Sequence, residues 1–293
     1  MSVLQDEALA ARRARMPAAR GVPRPFLKWA GGKSQLLPEL ESRLPARFND
    51  YHEPFVGGGA LFFRLWSTGR LRRAHLSDAN AELINVWRRI KTNLPEVIAA
   101  LRTHEGGNDP ETFYRVRAID PAQLSAPARA ARILYLNRTC FNGLYRENSR
   151  GRFNVPFGRY ANPRILDEEN LRAAARALRN ATIRQDGFDA VQERARPGDL
   201  VYFDPPYHPL SSTSSFTDYS RGGFTQEDQA KLADLFTQLA GRGVHVVLSN
   251  SSAPFILKLY AKRGRIHRVR ARRAINSKAE RRGAVTELII TAP

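Results

Sequence analysis

The sequence predicts an α/β protein whose doubly wound, mostly parallel sheet is built from both ends of the chain. Three observations predict this class. An apolar strand pattern runs into Gly57-Gly58-Gly59. Strand and helix patterns alternate up to residue 78 and again from residue 181, whereas the stretch between them is mostly helical. Two further strand patterns near the end indicate a C-terminal β-hairpin.

The first part of the predicted sheet is a βαβ unit with a glycine-rich first turn. Its predicted elements are an entry loop over Phe26–Lys33, a helix over Ser34–Leu44, a strand over Tyr51–Val56, a helix over Ala60–Ser67 and a strand over Arg73–Ser77 closed by Asp78. The chain after Asp78 is predicted to be helical as far as Asn137. A polar loop rich in aromatic residues follows over Cys140–Pro163. A loop of that length inside a globular chain is usually functional or disordered, and its aromatic residues favour function.

The second part of the sheet follows a helix that Asp167 is expected to cap. Strands are predicted over Ala181–Arg184, Leu200–Phe203, Val244–Ser249, Ile266–Ala271 and Ala284–Thr291. The segment Thr225-Gln226-Glu227-Asp228 predicts a capping box at the start of a further helix.

These patterns divide the chain into three parts. Residues 26–78 and 181–293 are expected to form one discontinuous α/β domain, residues 79–180 a helical insert, and residues 1–25 a basic, flexible N-terminal arm.

The charge of the chain predicts a polyanionic partner. It has 47 Lys and Arg against 28 Asp and Glu, which gives a net charge of +19. Cys140 is the only cysteine, so no internal disulfide can form and a reducing, cytoplasmic location is expected. No apolar run is long enough for a membrane helix, and the six histidines show no metal-ligand spacing, so we expect neither a membrane nor a metal.

The most specific local signal is Asp204-Pro205-Pro206-Tyr207, which directly follows an apolar strand. The strand delivers the carboxylate to the sheet edge, and the two prolines remove backbone donors, so that nearby carbonyls remain as acceptors. Asp204 and the carbonyl of Pro205 could accept both protons of an exocyclic amino group, while Tyr207 offers an aromatic face. The motif therefore predicts a pocket for a flat base that carries an amino group.

A second constellation predicts an adenosine-bearing cofactor. Gly57 lies where a Rossmann-type sheet binds its nucleotide, and Asp78, at the tip of the next strand, could accept hydrogen bonds from ribose hydroxyls. Phe62 stands at the third glycine position of the dinucleotide fingerprint, which disfavours NAD. S-adenosylmethionine fits better, because Lys33 could pair with its carboxylate and Trp29 could pack against it.

The motifs and their order resemble those of the Dam-type (D12 class, alpha group) DNA adenine N6-methyltransferases. The resemblance runs from about Phe26 to Thr291. Its landmarks are Phe26–Lys33, Glu53–Ala60, Asp78, Asn137–Asn148, Phe153–Tyr160, Asp204–Tyr207 and Leu248–Asn250. It implies a Rossmann-like, S-adenosylmethionine-dependent methyltransferase fold, in which residues 26–78 and 181–293 form the catalytic domain and residues 79–180 the target-recognition domain. The implied activity is methyl transfer to N6 of a flipped adenine in double-stranded DNA, within GATC. The implied role is in restriction-modification or in marking DNA for replication and repair.

The resemblance also implies the site residues. The catalytic motif that grips the adenine is Asp204, Pro205, Pro206 and Tyr207. The cofactor would lie among Trp29, Lys33, Phe55, Gly57, Asp78, Phe188 and Asp204. Guanine edges would be read by Lys28 and Arg146, apolar base contacts would come from Leu144 and Pro156, the backbone would be held by Asn142 and Arg159, and the wedge in the base stack would be Phe141. We expect a monomer that needs no protein partner.

Other interpretations stay open at this point. Methylation of cytosine N4 uses similar geometry, although Asp204 favours adenine over cytosine. Methylation of adenine in RNA is a further interpretation. The loop that is expected to read a DNA duplex disfavours this interpretation. A catalytically silent DNA-binding regulator is the alternative from another class. The basic segment Lys258–Arg282 is expected to contact DNA phosphates without reading sequence.

Overall fold

The computed structural model describes residues 21–29, 31–210, 223–272 and 284–293. These residues form a seven-stranded sheet in the order β3-β2-β1-β4-β5-β7-β6. The strands are β1 Tyr51–Glu53, β2 Ala74–Asp78, β3 Ala181–Gln185, β4 Leu200–Phe203, β5 His245–Ser251, β6 Arg265–Arg272 and β7 Ala284–Thr291. Strands β1 to β5 are parallel, and β7 lies antiparallel between β5 and β6. The predicted α/β class with its C-terminal hairpin strands is confirmed.

Helices pack on both faces of the sheet. They are α1 Leu37–Glu41, α2 Ala60–Ser67, α3 Ala81–Thr92, α4 Leu94–Arg102, α5 Pro110–Ala118, α6 Ala126–Thr139, α7 Glu168–Ala177, α8 Val191–Arg194, α9 Gln226–Gly241 and α10 Pro254–Tyr260. Strand β4 alternates between two cores, because Leu200 and Tyr202 face one and Val201 and Phe203 face the other. Both faces are therefore buried, as expected of a parallel sheet.

Most predicted elements match the structure, and several bounds differ. Helix α2 and strands β4 and β7 match residue for residue, and the Thr225 capping box opens α9. Strand β1 ends at Glu53 rather than Val56, because Pro54 lacks the N–H of a ladder donor. The helix expected over Ser34–Leu44 is only α1, since Pro38 suits a first turn and Pro45 disfavours helix at the residue before it.

The insert is organised around α6, which helices α3, α4 and α5 contact. Helix α3 also packs against β2 and β3, and α7 packs against α2 and α3. One continuous core joins these helices to the sheet. The boundary of a separate recognition domain at residues 79–180 stays a prediction.

The last residues of the expected N-terminal arm lie on α7. The backbone N–H of Arg24 donates to Asn170, and its guanidinium forms a 2.5 Å ion pair with Asp167. The other predicted arm arginines lie outside the described residues. Within the described part of the chain, none of the helices has the length and apolar character needed to cross a bilayer.

Candidate active site

The site lies where β1 and β4, neighbours in the sheet, send the chain in opposite directions. Ligands of open α/β sheets bind at such a switch point, beyond the carboxyl ends of the strands. Asp204 follows the end of β4, and the glycine turn follows the end of β1. The topology therefore brings the two predicted constellations to one edge.

Asp204 is held by an ion pair with Lys33. The Lys33 Nζ lies 2.7 Å from Asp204 Oδ1, and both side chains are mostly buried, at 5% and 19% exposure. Burial raises the pKa of Asp204 to about 6, and the ammonium of Lys33 opposes that rise. This contact does not test the expectation that Lys33 pairs with the cofactor's carboxylate. The cofactor role of Lys33 stays a prediction.

The ring of Tyr207 is fixed from two sides. Its hydroxyl donates a 2.9 Å hydrogen bond to Glu287 Oε2 on β7, and Lys33 Nζ lies 4.5 Å from the ring centroid. Burial raises the pKa of the phenol well above its usual value, so the hydroxyl stays a donor. The aromatic face predicted from the motif is therefore a rigid one.

The backbone around Pro206 and Tyr207 is clamped by β5 and α9. Gln229 Nε2 donates to the Pro206 carbonyl at 3.0 Å, and Asn250 Oδ1 accepts from the N–H of His208 at 3.3 Å. Ser251 Oγ donates to the His208 carbonyl at 2.6 Å, while Asn250 itself donates to Gln229 at 3.0 Å. This network of hydrogen bonds fixes the backbone conformation of the motif.

The glycine turn after β1 is sterically required. Gly57 has φ 44° and Gly59 has φ 65°, in the left-handed region that favours glycine. A Cβ on Gly57 would come within 2.8 Å of the Trp29 ring, and one on Gly59 within 2.4 Å of Trp87. The indole of Trp87 also donates to the Gly57 carbonyl at 3.1 Å. The turn is therefore packed between two tryptophans, Trp29 and Trp87.

Asp78 faces this turn from the tip of β2. Its Oδ2 accepts from the N–H of Gly57 at 3.2 Å, and its Oδ1 accepts from the N–H of Asn80 at 3.0 Å. Burial raises the pKa of Asp78 to about 6, although the backbone donors oppose it. Each carboxylate oxygen keeps a lone pair that could accept a hydroxyl proton. These acceptors beside a narrow glycine turn fit the ribose of an adenosyl group.

Phe55 and Phe188 form an aromatic wall on the other side of the turn. Their rings stack at 5.6 Å with an interplanar angle of 20°, and Phe224 meets both edge to face. Such apolar faces suit the adenine of the same adenosyl group. Phe224, at the start of the segment before α9, was not predicted.

The proposed DNA-reading loop is anchored to the entry loop through Asn137. The Asn137 side chain accepts from the N–H of Lys28 at 2.8 Å and donates to the carbonyls of Lys28 and Gly143 at 2.7 and 2.9 Å. Two short bridges, Cys140 with Phe157 and Glu147 with Phe153, fold the loop on itself. The long loop predicted as functional is thus ordered by its own pairing.

The candidate DNA contacts lie together on this loop and its neighbour. Four of them are exposed, namely Lys28, Arg146, Pro156 and Arg159, and so is Phe141 at 46%. Asn142 and Leu144 are half-buried, and Asn142 and Arg159 have φ 54°. Arg146 Nε donates to Asn154 Oδ1 at 2.7 Å, which aims the guanidinium. The structure brings the residues together, and their roles stay predictions.

Several residues of the site were missed by the sequence reasoning. They are Glu53, Phe224, Gln229, Ser251 and Glu287. Glu53 is buried beside Tyr51, whose hydroxyl donates to it at 2.9 Å, and burial raises its pKa well above the usual value. The clearest local signal was Glu287, an acid between Thr286 and Leu288 in a mostly apolar strand.

The basic C-terminal segment is described in part. Arg268 and Arg270 are exposed on β6, the edge strand of the sheet. Arg273, Arg281 and Arg282 of the same predicted contact lie outside the described residues. Among the described residues, no group of three or more His, Cys, Asp or Glu is placed to hold a metal ion.

The fold and the two groups of site residues are those expected of the Rossmann-like S-adenosylmethionine-dependent methyltransferases. Residues 29–275 match the family described as D12 class N6 adenine-specific DNA methyltransferase. The chain belongs to this family.

Characterised relatives match along almost the whole chain. A type II methyltransferase, M1.LlaDCHI of Lactococcus lactis subsp. cremoris, is 46% identical over 274 residues, covering 92% of this chain and 95% of its own length. The type II methyltransferase M.MjaIII of Methanocaldococcus jannaschii is 40% identical, with 91% and 98% covered. The DNA adenine methylase of Escherichia coli K12 is 38% identical, with 91% and 94% covered.

Family membership settles the class of reaction. The chain is an adenine-specific DNA N6-methyltransferase, its substrate is DNA, and its family implies S-adenosylmethionine as methyl donor. The cytosine, oxidoreductase and silent-regulator interpretations are thereby set aside.

Proposed function

We propose that the enzyme extrudes an adenine from double-stranded DNA and methylates its N6 at Asp204–Tyr207. The observation that carries the proposal is the geometry at the end of β4. The mostly buried carboxylate of Asp204 pairs with Lys33, which also lies against the Tyr207 ring, and Glu287 accepts a hydrogen bond from the hydroxyl of that ring.

The proposed chemistry depends on how this motif holds the amino group. Adenine N6 is a poor nucleophile because its lone pair is delocalised into the ring. Hydrogen bonds from its two protons to Asp204 and to the Pro205 carbonyl would favour a more tetrahedral nitrogen, whose lone pair then points out of the ring plane. S-adenosylmethionine, when bound, supplies the methyl group on its sulfonium. N6 bonds to that methyl carbon as the sulfonium–carbon bond breaks, and one N6 proton leaves to Asp204 or to water. The residues contribute position and electrostatics, and none forms a covalent intermediate.

The cofactor's place in the proposal is the glycine turn. Asp78 would accept from the ribose hydroxyls, Phe55 and Phe188 would contact the adenine of the cofactor, and Trp29 and Lys33 would border its amino-acid end. Support comes from the close packing of Gly57 on Trp29 and from the unshared lone pairs of Asp78.

The DNA would be read by the loop around Arg146. Extruding the base costs a few kcal/mol of stacking, which contacts with Tyr207 and with the exposed Phe141 would offset. Arg146 can make a bidentate contact to guanine O6 and N7, a contact that discriminates by about 1–3 kcal/mol. With Lys28 at the first guanine, the resemblance of this loop supports GATC as the recognition sequence. Action as a monomer and a cytoplasmic location also stay predictions.

Variants of Asp204 test the proposal. Asp204→Ala should lower the rate of adenine methylation at least about 100-fold, since removal of one oriented polar group at a reacting centre has effects of that size. Asp204→Asn keeps the shape of the side chain and should lose activity as well. DNA affinity should change less than about 2-fold in both.

The matched control is Asp234→Ala, which removes an exposed acid that pairs with Arg263. It should keep full activity. Wild-type turnover by Asp204→Ala would overturn the assignment of the acceptor.

A further inference from the structure

The environment of Tyr207 contains an acid from a distant part of the chain. Glu287 lies on β7, opposite Ser251 of β5 and Val269 of β6. Directly opposed residues of antiparallel strands share a face of the sheet, so Glu287 stands on the same side as Ser251. Its carboxylate reaches the Tyr207 hydroxyl at 2.9 Å across 80 residues of sequence.

The restraints on Tyr207 divide into two kinds. The backbone on either side of the residue is held by Gln229, Asn250 and Ser251. Those bonds leave the side-chain torsions of Tyr207 free. The hydroxyl bond to Glu287 fixes where the outer end of the ring lies, and Lys33 contacts the face of the ring. A ring that must stack on a base depends on such restraints.

Glu287 also acts on Asp204 by its charge. Two charged groups act on the catalytic carboxylate, because Lys33 contacts it and Glu287 lies within electrostatic range. The positive charge of Lys33 lowers the pKa of Asp204, whereas the negative charge of Glu287 raises the pKa of Asp204. A carboxylate that binds protons more tightly is also a better acceptor from an amino group.

We propose that Glu287 is a positioning residue of the adenine-binding motif, which fixes the Tyr207 ring through its hydroxyl and strengthens Asp204 as a hydrogen-bond acceptor. The inference rests on the proposed function of Asp204–Tyr207. It assigns to β7 a part in a reaction whose proposed acceptor and stacking residues follow β4.

Three variants separate the two effects. Glu287→Ala removes both the acceptor and the charge, Glu287→Gln keeps an acceptor and removes only the charge, and Tyr207→Phe keeps the ring and removes the donor. Steady-state methylation of a duplex that holds one target site gives kcat and KM for each. Glu193→Gln, on exposed α8, is the matched control for loss of one acid.

Glu287→Ala should lower kcat about 10-fold with little change in KM for DNA, because the restraint acts on the bound base. The double variant with Tyr207→Phe should fall less than the product of the two single losses, since both remove one hydrogen bond. Glu287→Gln should keep most of kcat near neutral pH, and its acid limb should move to lower pH. The loss of a nearby negative charge lowers the pKa of Asp204.

Two outcomes overturn the inference. One is a wild-type kcat and pH profile in Glu287→Ala, and the other is a full product of losses in the double variant. Thermal unfolding of each variant shows whether it is folded. If Glu287→Ala is not folded, the kinetics of Glu287→Gln, whose side chain has nearly the same shape as glutamate, test the inference instead. If the wild-type chain itself fails to methylate adenine, the proposed function fails instead, and the two failures are distinct.

Discussion

At the scale of single residues, the chemistry depends on how Asp204 is kept ionised. Burial favours the neutral acid, and Lys33 at 2.7 Å favours the carboxylate. The balance leaves a carboxylate at neutral pH that is basic for its type, which suits an acceptor from a weakly acidic amino group. Loss of this lysine would raise the pKa of Asp204 further and would favour the protonated acid, which donates a hydrogen bond where the carboxylate accepts one.

The pH dependence of the reaction follows from this balance. The pKa of Asp204 is raised to about 6, so the active carboxylate is present above that pH and is lost as pH falls through it. We expect kcat at saturating cofactor to decline on acidification with a midpoint near pH 6.

Asp78 has a pKa raised to about 6 as well, and its protonation should raise KM for the cofactor rather than lower kcat. Measurement of both constants from pH 4.5 to 8 at about half-unit steps separates the two groups. A kcat that is unchanged down to pH 4.5 would contradict the role given to Asp204.

Residues that carry a local motif were accessible from the sequence, and their partners were not. The strand before Asp204 and the spacing from Gly57 to Asp78 each depend on neighbours in sequence. The ion pair between Lys33 and Asp204 was not predicted, because no local signal in the sequence shows which acid lies beside this lysine. The Glu287 contact joins strands whose pairing is set by the whole sheet, so no pattern within β7 could indicate it.

At the scale of elements, the turn between β1 and α2 is the least replaceable part of the site. Its glycines adopt positive φ, and the surrounding indoles leave no room for a methyl group. The sequence predicted this turn from its letters alone. The packing on Trp87, which comes from the helical insert, appears only in the folded chain.

Gly59→Ala should destabilise the fold by at least about 2 kcal/mol, because left-handed backbone costs an alanine about 1–2 kcal/mol and the new Cβ would overlap Trp87. Gly69→Ala is the control, since Gly69 has a similar φ of 71° and no atom within 4 Å of the added carbon. Gly69→Ala should lose only the stability that left-handed backbone costs an alanine. Urea unfolding measures the free energy of unfolding of both variants. Equal losses would mean that Trp87 moves aside at no cost in stability.

At the scale of the whole molecule, the sheet order explains why residues from five parts of the chain meet. Strands β1 and β4 are neighbours although the insert separates them in sequence, and the antiparallel β7 inserts beside β5. The alternation of strands and helices predicted the α/β class and most elements. It did not predict the order of strands or the sharing of one core by the insert and the sheet, because both depend on long-range packing.

The measurement that tests the central claim most directly is base-by-base mapping of modified positions in plasmid DNA, after incubation with the purified protein and S-adenosylmethionine. We predict N6-methyladenine confined to GATC, with Arg146→Ala relaxing the choice at a guanine position. N6-methyladenine at another sequence would keep the assignment of Asp204 and contradict the reading given to Lys28, Leu144 and Arg146. Methylated cytosine, or DNA binding without any methylation, would contradict the central claim itself.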